Sequence, residues 1–277
     1  MKKNIDTALV IIAYNRPSHL KRLIISLEDY KIKNAHIFID GPKNTNDKIL
    51  QKEIVAMIKG SKIKFSVVKK EKNLGIEKSI NSALDKISKI SKRIIVLEDD
   101  CIPRKKFFQF MKYSLKLIEK NNEIFGVCGY QFPEISNNEK KLNIGIFDNF
   151  IPWGWGILSK NWNSYKKFRI KKNNYLSYTV KSLIYKKIIS KIKLKKPLWT
   201  PNFILYSYLN KKKFLYPSIS QIKNIGFDGS GINSKVTNIF YANYTKVKNS
   251  KFTIHKYNSN LNRKHEKILI KTLKYFY

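Results

Sequence analysis

Apolar positions in the first hundred residues follow two alternating periods. Leu9-Val10-Ile11-Ile12-Ala13 is a short continuous apolar run, the pattern of a strand buried on both faces of a parallel sheet. Pro17 then suits the first turn of a helix, with Leu20, Leu23, Ile24 and Leu27 on one face. The cycle repeats. Residues 35–39 predict a second strand closed by Asp40-Gly41-Pro42, residues 45–59 a helix, and residues 63–68 a third strand. Residues 74–90 predict a helix with Ile76, Ile80, Leu84 and Ile87 in step, and residues 93–97 a fourth strand running straight into Glu98-Asp99-Asp100. Four strand–helix units imply an α/β fold, a mostly parallel central sheet flanked by helices.

Ligands of such sheets bind beyond the carboxyl ends of the strands. Three of these ends are polar: Tyr14-Asn15-Arg16, Asp40, and Glu98-Asp99-Asp100. Three adjacent acids after a buried strand repel one another, and burying them is costly without compensation. A divalent cation is the simplest compensation. Mg²⁺ and Mn²⁺ prefer carboxylate oxygens, taking one or two from the protein and the rest from substrate phosphates and water. Arg16 suits a phosphate or a carboxylate. The set predicts a metal-diphosphate site, with a solvated turn at a helix start as the plainer alternative for the triplet. Asn73-Leu74-Gly75 lacks the P-loop pattern, which disfavours an NTPase of that type.

Charge changes the picture in the second half. The chain of 277 residues carries 56 Lys and Arg against 19 Asp and Glu, a net +37. Six of the bases are arginine. Arginine is the usual reader of base edges, so a nucleic-acid partner is disfavoured and much of the lysine reads as compositional drift. Seventeen of the nineteen acids lie in residues 1–148, and residues 149–277 hold only Asp228 and Glu266. This shift marks the expected lobe boundary, dividing 1–148 from a second lobe with basic helices, 149–277, within one continuous domain. Two cysteines exclude a disulfide framework. No apolar run approaches the ~20 residues of a membrane span, and the N-terminus has no signal-peptide cleavage pattern. The expected place is the cytoplasm, peripheral on the inner face of the membrane.

The segments "VIIAYNRPSHLKRLIISL" (10–27), "IDGPK" (39–43), "NLGIEKSIN" (73–81) and "VLEDDCIP" (96–103) together resemble a GT-A-type glycosyltransferase. The likeness is to bacterial members related to glycosyltransferase family 2 and, more distantly, to the N-acetylglucosaminyltransferase I group. "PWGWGILSKNW" (152–162) and "NIGFDGSGIN" (224–233) extend it. The resemblance implies a GT-A fold with a basic C-terminal acceptor-side extension. It implies that Ala13, Tyr14 and Arg16 line the nucleotide pocket and that Asp40 contacts the base or ribose. Asp100 would coordinate Mn²⁺ or Mg²⁺ on the diphosphate, while Glu98 and Asp99 hold the ribose and donor sugar. Trp153, Gly154 and Trp155 would lie near the donor sugar and acceptor. A bare backbone between two flat rings also suits a sugar face physically, with core packing as the plainer alternative. The implied reaction takes a sugar from a nucleotide-diphosphate donor, UDP foremost, to a bacterial surface glycan or lipid-linked acceptor with inversion.

One part of the pattern is broken. Where relatives carry an acid just before the tryptophan matching Trp199, this chain has Pro197 and Leu198. An inverting transferase needs a carboxylate base. Asp228, in the glycine-rich segment "GFDGSG", is the candidate left in the second half; the alternative is a catalytically impaired nucleotide-sugar or glycan-binding protein. Residues 179–196 and 267–277 read as basic, partly amphipathic segments suited to an anionic membrane surface.

Overall fold

The computed structural model describes residues 5–136, 141–170, 199–231, 236–240 and 252–272. The alternation in the first hundred residues becomes β1 (Ile5–Ala13), α1 (Pro17–Asp29), β2 (Asn34–Ile39), α2 (Thr45–Gly60), β3 (Lys64–Lys69), α3 (Ile76–Ile87) and β4 (Ser91–Glu98). Pro17 opens α1, and Leu20, Leu23, Ile24 and Leu27 are its buried face. Asn44 caps α2, its side chain accepting from the Asp47 N–H.

Further strands follow: β5 (Cys101–Pro103), β6 (Ile124–Cys128), β7 (Ile144–Phe147), β8 (Trp155–Leu158), β9 (Lys213–Pro217) and β10 (Ile222–Asn224). The main sheet runs β3-β2-β1-β4-β8-β6-β9-β7. Its first four strands are mutually parallel, β8 is antiparallel to both neighbours, and β6 pairs parallel with β9. Strands from both sides of residue 148 therefore share one sheet, with β8 wedged between β4 and β6. In register, Ile12 faces Glu98 and Ala13 faces Ile39, so the residues after β1, β2 and β4 emerge together.

Two features of the second half decide how the site is covered. β10 pairs antiparallel with β5, placing Asn224 opposite Cys101. The chain after β10 is thereby delivered onto Asp100, whose carbonyl accepts the Ile225 N–H at 2.9 Å. The second is an aromatic cluster in which Trp155 stacks on Trp199 (5.2 Å between centroids) and meets Phe150 and Phe203.

Residues 179–196 lie outside the described residues. Of the tail, Ser259–Thr272 forms a helix that buries Asn262, His265, Leu269 and Thr272 against the protein. Ile268 and Ile270 of this helix are partly buried against the same core. Among the described residues no helix is long and apolar enough to cross a membrane.

His265 sits in this helix enclosed by Phe132, Phe147 and Tyr216, and among the described residues neither ring nitrogen has a hydrogen-bond partner. Burial pushes its pKa down to about 3. The unfolded chain binds the proton near pH 6.5 and the folded chain does not, so stability from this group is full above that pH and is lost as pH falls from there toward 3. We expect the urea midpoint of the wild type to fall between pH 7 and 5 more steeply than that of His265→Leu. The difference should reach about 2 kcal/mol at pH 5. Parallel pH dependences in the two proteins would remove the assignment.

Candidate functional site

The site is built on three strand ends and one returning loop. At the end of β4, Asp99 and Asp100 are 3% and 8% exposed, and Glu98 keeps partial exposure. Arg16, just before α1, sends Nη2 to both: it donates to Asp99 Oδ1 and, at 2.7 Å, to Asp100 Oδ2. Burial raises the Glu98 carboxyl well above the usual range, and the neighbouring Asp100 and Asp99 carboxylates add to it while Arg16 opposes it. Asp99 is raised as well, chiefly by burial, with Arg16 pulling the other way. The cluster is short of positive charge even with Arg16 in place.

The loop after β10 covers it. A Cβ on Gly226 would lie 2.1 Å from Asp100 Oδ2, so only glycine fits against that carboxylate. Two residues on, Asp228 Oδ2 is 3.1 Å from His19 Nε2, while Asp228 Oδ1 accepts from the Ser230 hydroxyl at 2.6 Å and N–H at 3.0 Å. Burial would raise the Asp228 pKa, but these Ser230 bonds and His19 outweigh it and hold the carboxyl below its ordinary value. The Asp228 side chain is 45% exposed, and His19 is buried. His19 was invisible to metal-spacing arguments, because its importance comes from a contact with a residue 209 positions away.

Asp40 is buried at the end of β2, and its oxygens are occupied by its own chain. Oδ1 accepts the N–H groups of Gly41 and Leu74, both at 2.9 Å; Oδ2 accepts the Gly75 N–H at 2.9 Å and Asn73 Nδ2 at 3.1 Å. It therefore ties the 73–75 loop to the sheet. We expect Asp40→Asn to lower unfolding stability by about 3 kcal/mol, since an amide offers one acceptor oxygen where four donors converge. A thermal melt matching the wild type would count against this role.

Tyr14 is held by Asp47, a residue that sequence reasoning missed. Asp47 Oδ2 accepts the Tyr14 hydroxyl at 2.5 Å and the Lys43 N–H at 2.9 Å, and Oδ1 accepts Asn15 Nδ2 at 2.7 Å. Its pKa is lowered, burial being outweighed by these bonds, and the Tyr14 hydroxyl is raised by burial and by Asp47. The visible signal was Asn44 three positions earlier, an N-cap pattern that reads as helix punctuation. Ala13 is buried in β1, and its carbonyl accepts the Asp40 N–H at 3.1 Å.

The tryptophans depart from the sequence expectation. Trp155 is 1% exposed inside the aromatic cluster, and Trp153 is 6% exposed among Tyr130, Phe227 and Phe240. Neither offers a free ring face to a sugar. β8 is an interior strand, so its side chains fill the core on both sides of the sheet. Gly154, at φ +58, turns the chain into β8 against Ile222. Trp153 does touch the covering loop through Phe227.

Among the described residues no three His, Cys, Asp or Glu side chains converge as a complete metal cage. The donor set nonetheless fits a hard divalent cation that takes its remaining oxygens from a phosphate ligand. Two buried carboxylates already share a cationic group, and among the described residues Asp100 Oδ1 meets only the weak Cys101 thiol donor, at 3.4 Å.

The family model described as "Glycosyl transferase family 2" matches residues 8–193. The chain belongs to that family. Its α/β sheet, mostly parallel in the half that builds the site, is the sheet of the GT-A fold. Among solved structures, this family 2 chain is similar to a 4-diphosphocytidyl-2C-methyl-D-erythritol synthase from Anaerococcus prevotii. That match has 11% identity, covers 79% of this chain and 90% of the other, and has a TM-score of 0.45. A UDP-glucose pyrophosphorylase complexed with UDP-glucose matches at 12% identity, over 79% and 91% of the two chains, with a TM-score of 0.39. An active-site mutant of LgtC matches at 12% identity, over 61% and 66%, with a TM-score of 0.36. These likenesses are loose, and membership rests on the family match. No curated protein sequence matches the chain.

Proposed function

We propose that this family 2 transferase is metal-dependent and inverting, and that it moves a sugar from a nucleotide-diphosphate donor, a UDP-sugar foremost, to a bacterial surface glycan or lipid-linked acceptor. The observation that carries the reading is the buried Arg16–Asp99–Asp100 cluster lying under the loop that bears Asp228. Asp100 would hold Mn²⁺ or Mg²⁺, whose chemistry is to stabilise negative charge on the departing diphosphate. Glu98 and Asp99 border the donor's ribose and sugar. Asp40 shapes the nucleoside side through the 73–75 loop, and Tyr14 is fixed there by Asp47. Asp228, ionised and half exposed, accepts the proton of the acceptor hydroxyl as that oxygen attacks the anomeric carbon and the bond to the diphosphate breaks.

The low proton affinity of Asp228 favours a second reading, a chain that binds the donor without transferring it. The experiment begins with thermal shifts against nucleotide sugars, with and without Mn²⁺. A ligand at a hundred times its dissociation constant should add about 2.7 kcal/mol. Transfer and donor hydrolysis are then assayed with the sugar that binds. Mn²⁺-dependent binding with turnover supports the first reading, binding alone supports the second, and no shift with any nucleotide sugar removes both.

A further inference from the structure

The first turn of α1 reaches the site twice. Arg16, at its start, holds Asp99 and Asp100, and His19, in the same turn, reaches Asp228. One helical turn thus connects the acids after β4 with the carboxylate of the covering loop. That turn is a firm platform. The Leu20 N–H closes it on the Arg16 carbonyl at 3.1 Å, Pro17 fixes its φ, and the buried Leu20 and Leu23 seat it in the core. Asp228 has two kinds of anchor. Gly229, at φ +91, folds the chain so that Ser230 donates its N–H and its hydroxyl to Oδ1. That anchor fixes the carboxylate only relative to its own loop. Among the described residues, His19 is the one side chain from another element that reaches it, with Nε2 3.1 Å from Oδ2. An ionised carboxylate only accepts, so Nε2 carries the hydrogen, and in the neutral ring Nδ1 is left to accept from the Ser18 hydroxyl at 3.4 Å.

We infer that His19 is the positioning residue for Asp228: through Nε2–H it holds the carboxylate at a fixed distance from the acids after β4, and α1 sets that distance. This rests on the reading of Asp228 as the base of an inverting transferase and adds to it the group that aims the base. In a direct displacement the attacking oxygen and the departing diphosphate lie on opposite sides of the anomeric carbon. The base and the diphosphate end of the site must therefore keep their separation, and a misplacement of about 1 Å can cost on the order of a hundredfold in rate. The proton of the acceptor hydroxyl goes to Asp228; His19 transfers none.

The test measures steady-state transfer across pH for wild type, His19→Leu, His19→Gln, Asp228→Asn and the double variant His19→Leu/Asp228→Asn, with the nucleotide sugar that binds. His19→Leu removes the donor to Asp228, so kcat should fall at least about tenfold while the KM for the nucleotide sugar stays within about threefold. His19→Gln offers an amide N–H at similar reach and should keep kcat within about threefold of wild type at neutral pH. In both variants the acid limb of kcat/KM governed by Asp228 should move to higher pH, because His19 is one of the groups that hold this carboxyl low. Asp99 is the other carboxylate that feels the charge of His19, and it is present in every variant. Once Asp228→Asn has been made, His19→Leu should cost nothing further, since it acts only through that carboxylate.

A His19→Leu kcat within tenfold of wild type overturns the proposal, as does a loss that is equally large in the Asp228→Asn background. Equal losses in His19→Gln and His19→Leu also overturn it, because the imidazole itself would then be the reacting group. Should His19→Leu not fold, His19→Asn, polar but too short to reach Asp228, takes its place under the same expectations. Absence of turnover by the wild type with every nucleotide sugar removes the transferase reading and this proposal with it, a failure that no His19 variant can produce.

Discussion

Asp100→Ala is expected to fold normally and to lose Mn²⁺-dependent UDP binding by roughly a hundredfold or more. The fold survives because Arg16 retains Asp99 as a partner and because removing one of three adjacent carboxylates relieves their repulsion. Gly226 packs against the Asp100 carboxylate, so alanine leaves space there and creates no clash. Glu98 should become easier to ionise in the variant, since Asp100 is the larger of the two charges raising it. Calorimetry of UDP with and without Mn²⁺, beside a thermal melt, decides the matter. Full metal-dependent binding in the folded variant would refute Asp100 as the ligand.

The second large effect concerns the proton. Asp228→Asn should lower transfer by about a hundred- to ten-thousand-fold, the usual cost of removing a general base, and largely spare donor binding. The substitution is nearly isosteric, and its amide oxygen can still accept from Ser230, so the loop should keep its place. The pH profile gives a further signature. Because the folded pKa of Asp228 lies below its ordinary value, it stays ionised through neutral and mildly acidic pH. The acid limb of kcat/KM that it governs should therefore fall below the usual aspartate range. A rate within threefold of wild type would exclude Asp228. Asp148 is a poor replacement, since its Oδ2 already accepts from Tyr257 and Asn262, pinning the Ser259–Thr272 helix.

The legibility of this chain follows the range of its interactions. β1, α1, β2, α2, α3 and β4 could be read because each is set by local periodicity and local punctuation, such as Pro17 at the start of α1. The convergence of Tyr14, Arg16, Asp40 and the acid triplet was legible for a related reason: parallel strands joined by helices must release their carboxyl ends at one edge. What those side chains do there was less legible. Asp40 was expected at a nucleoside, and its oxygens are bound to the 73–75 loop. Trp155 was expected at a sugar, and it lies in the core because β8 inserts antiparallel between β4 and β6. Nothing in a short apolar segment names its partner strands.

By itself, then, the sequence determined the α/β alternation, the polar strand ends and the clustering of acid after β4. These are properties of neighbours along the chain, where propensity, period and burial act over a few residues. Tertiary structure alone decided that Arg16 bridges Asp99 and Asp100, that Asp47 fixes Tyr14, and that β10 delivers Gly226 and Asp228 onto the triplet beside His19. Those pairings join residues 33 to 209 positions apart. Their partners are chosen by which strand ends and loops the packed sheet brings within hydrogen-bond reach, and no local pattern in the chain encodes that choice.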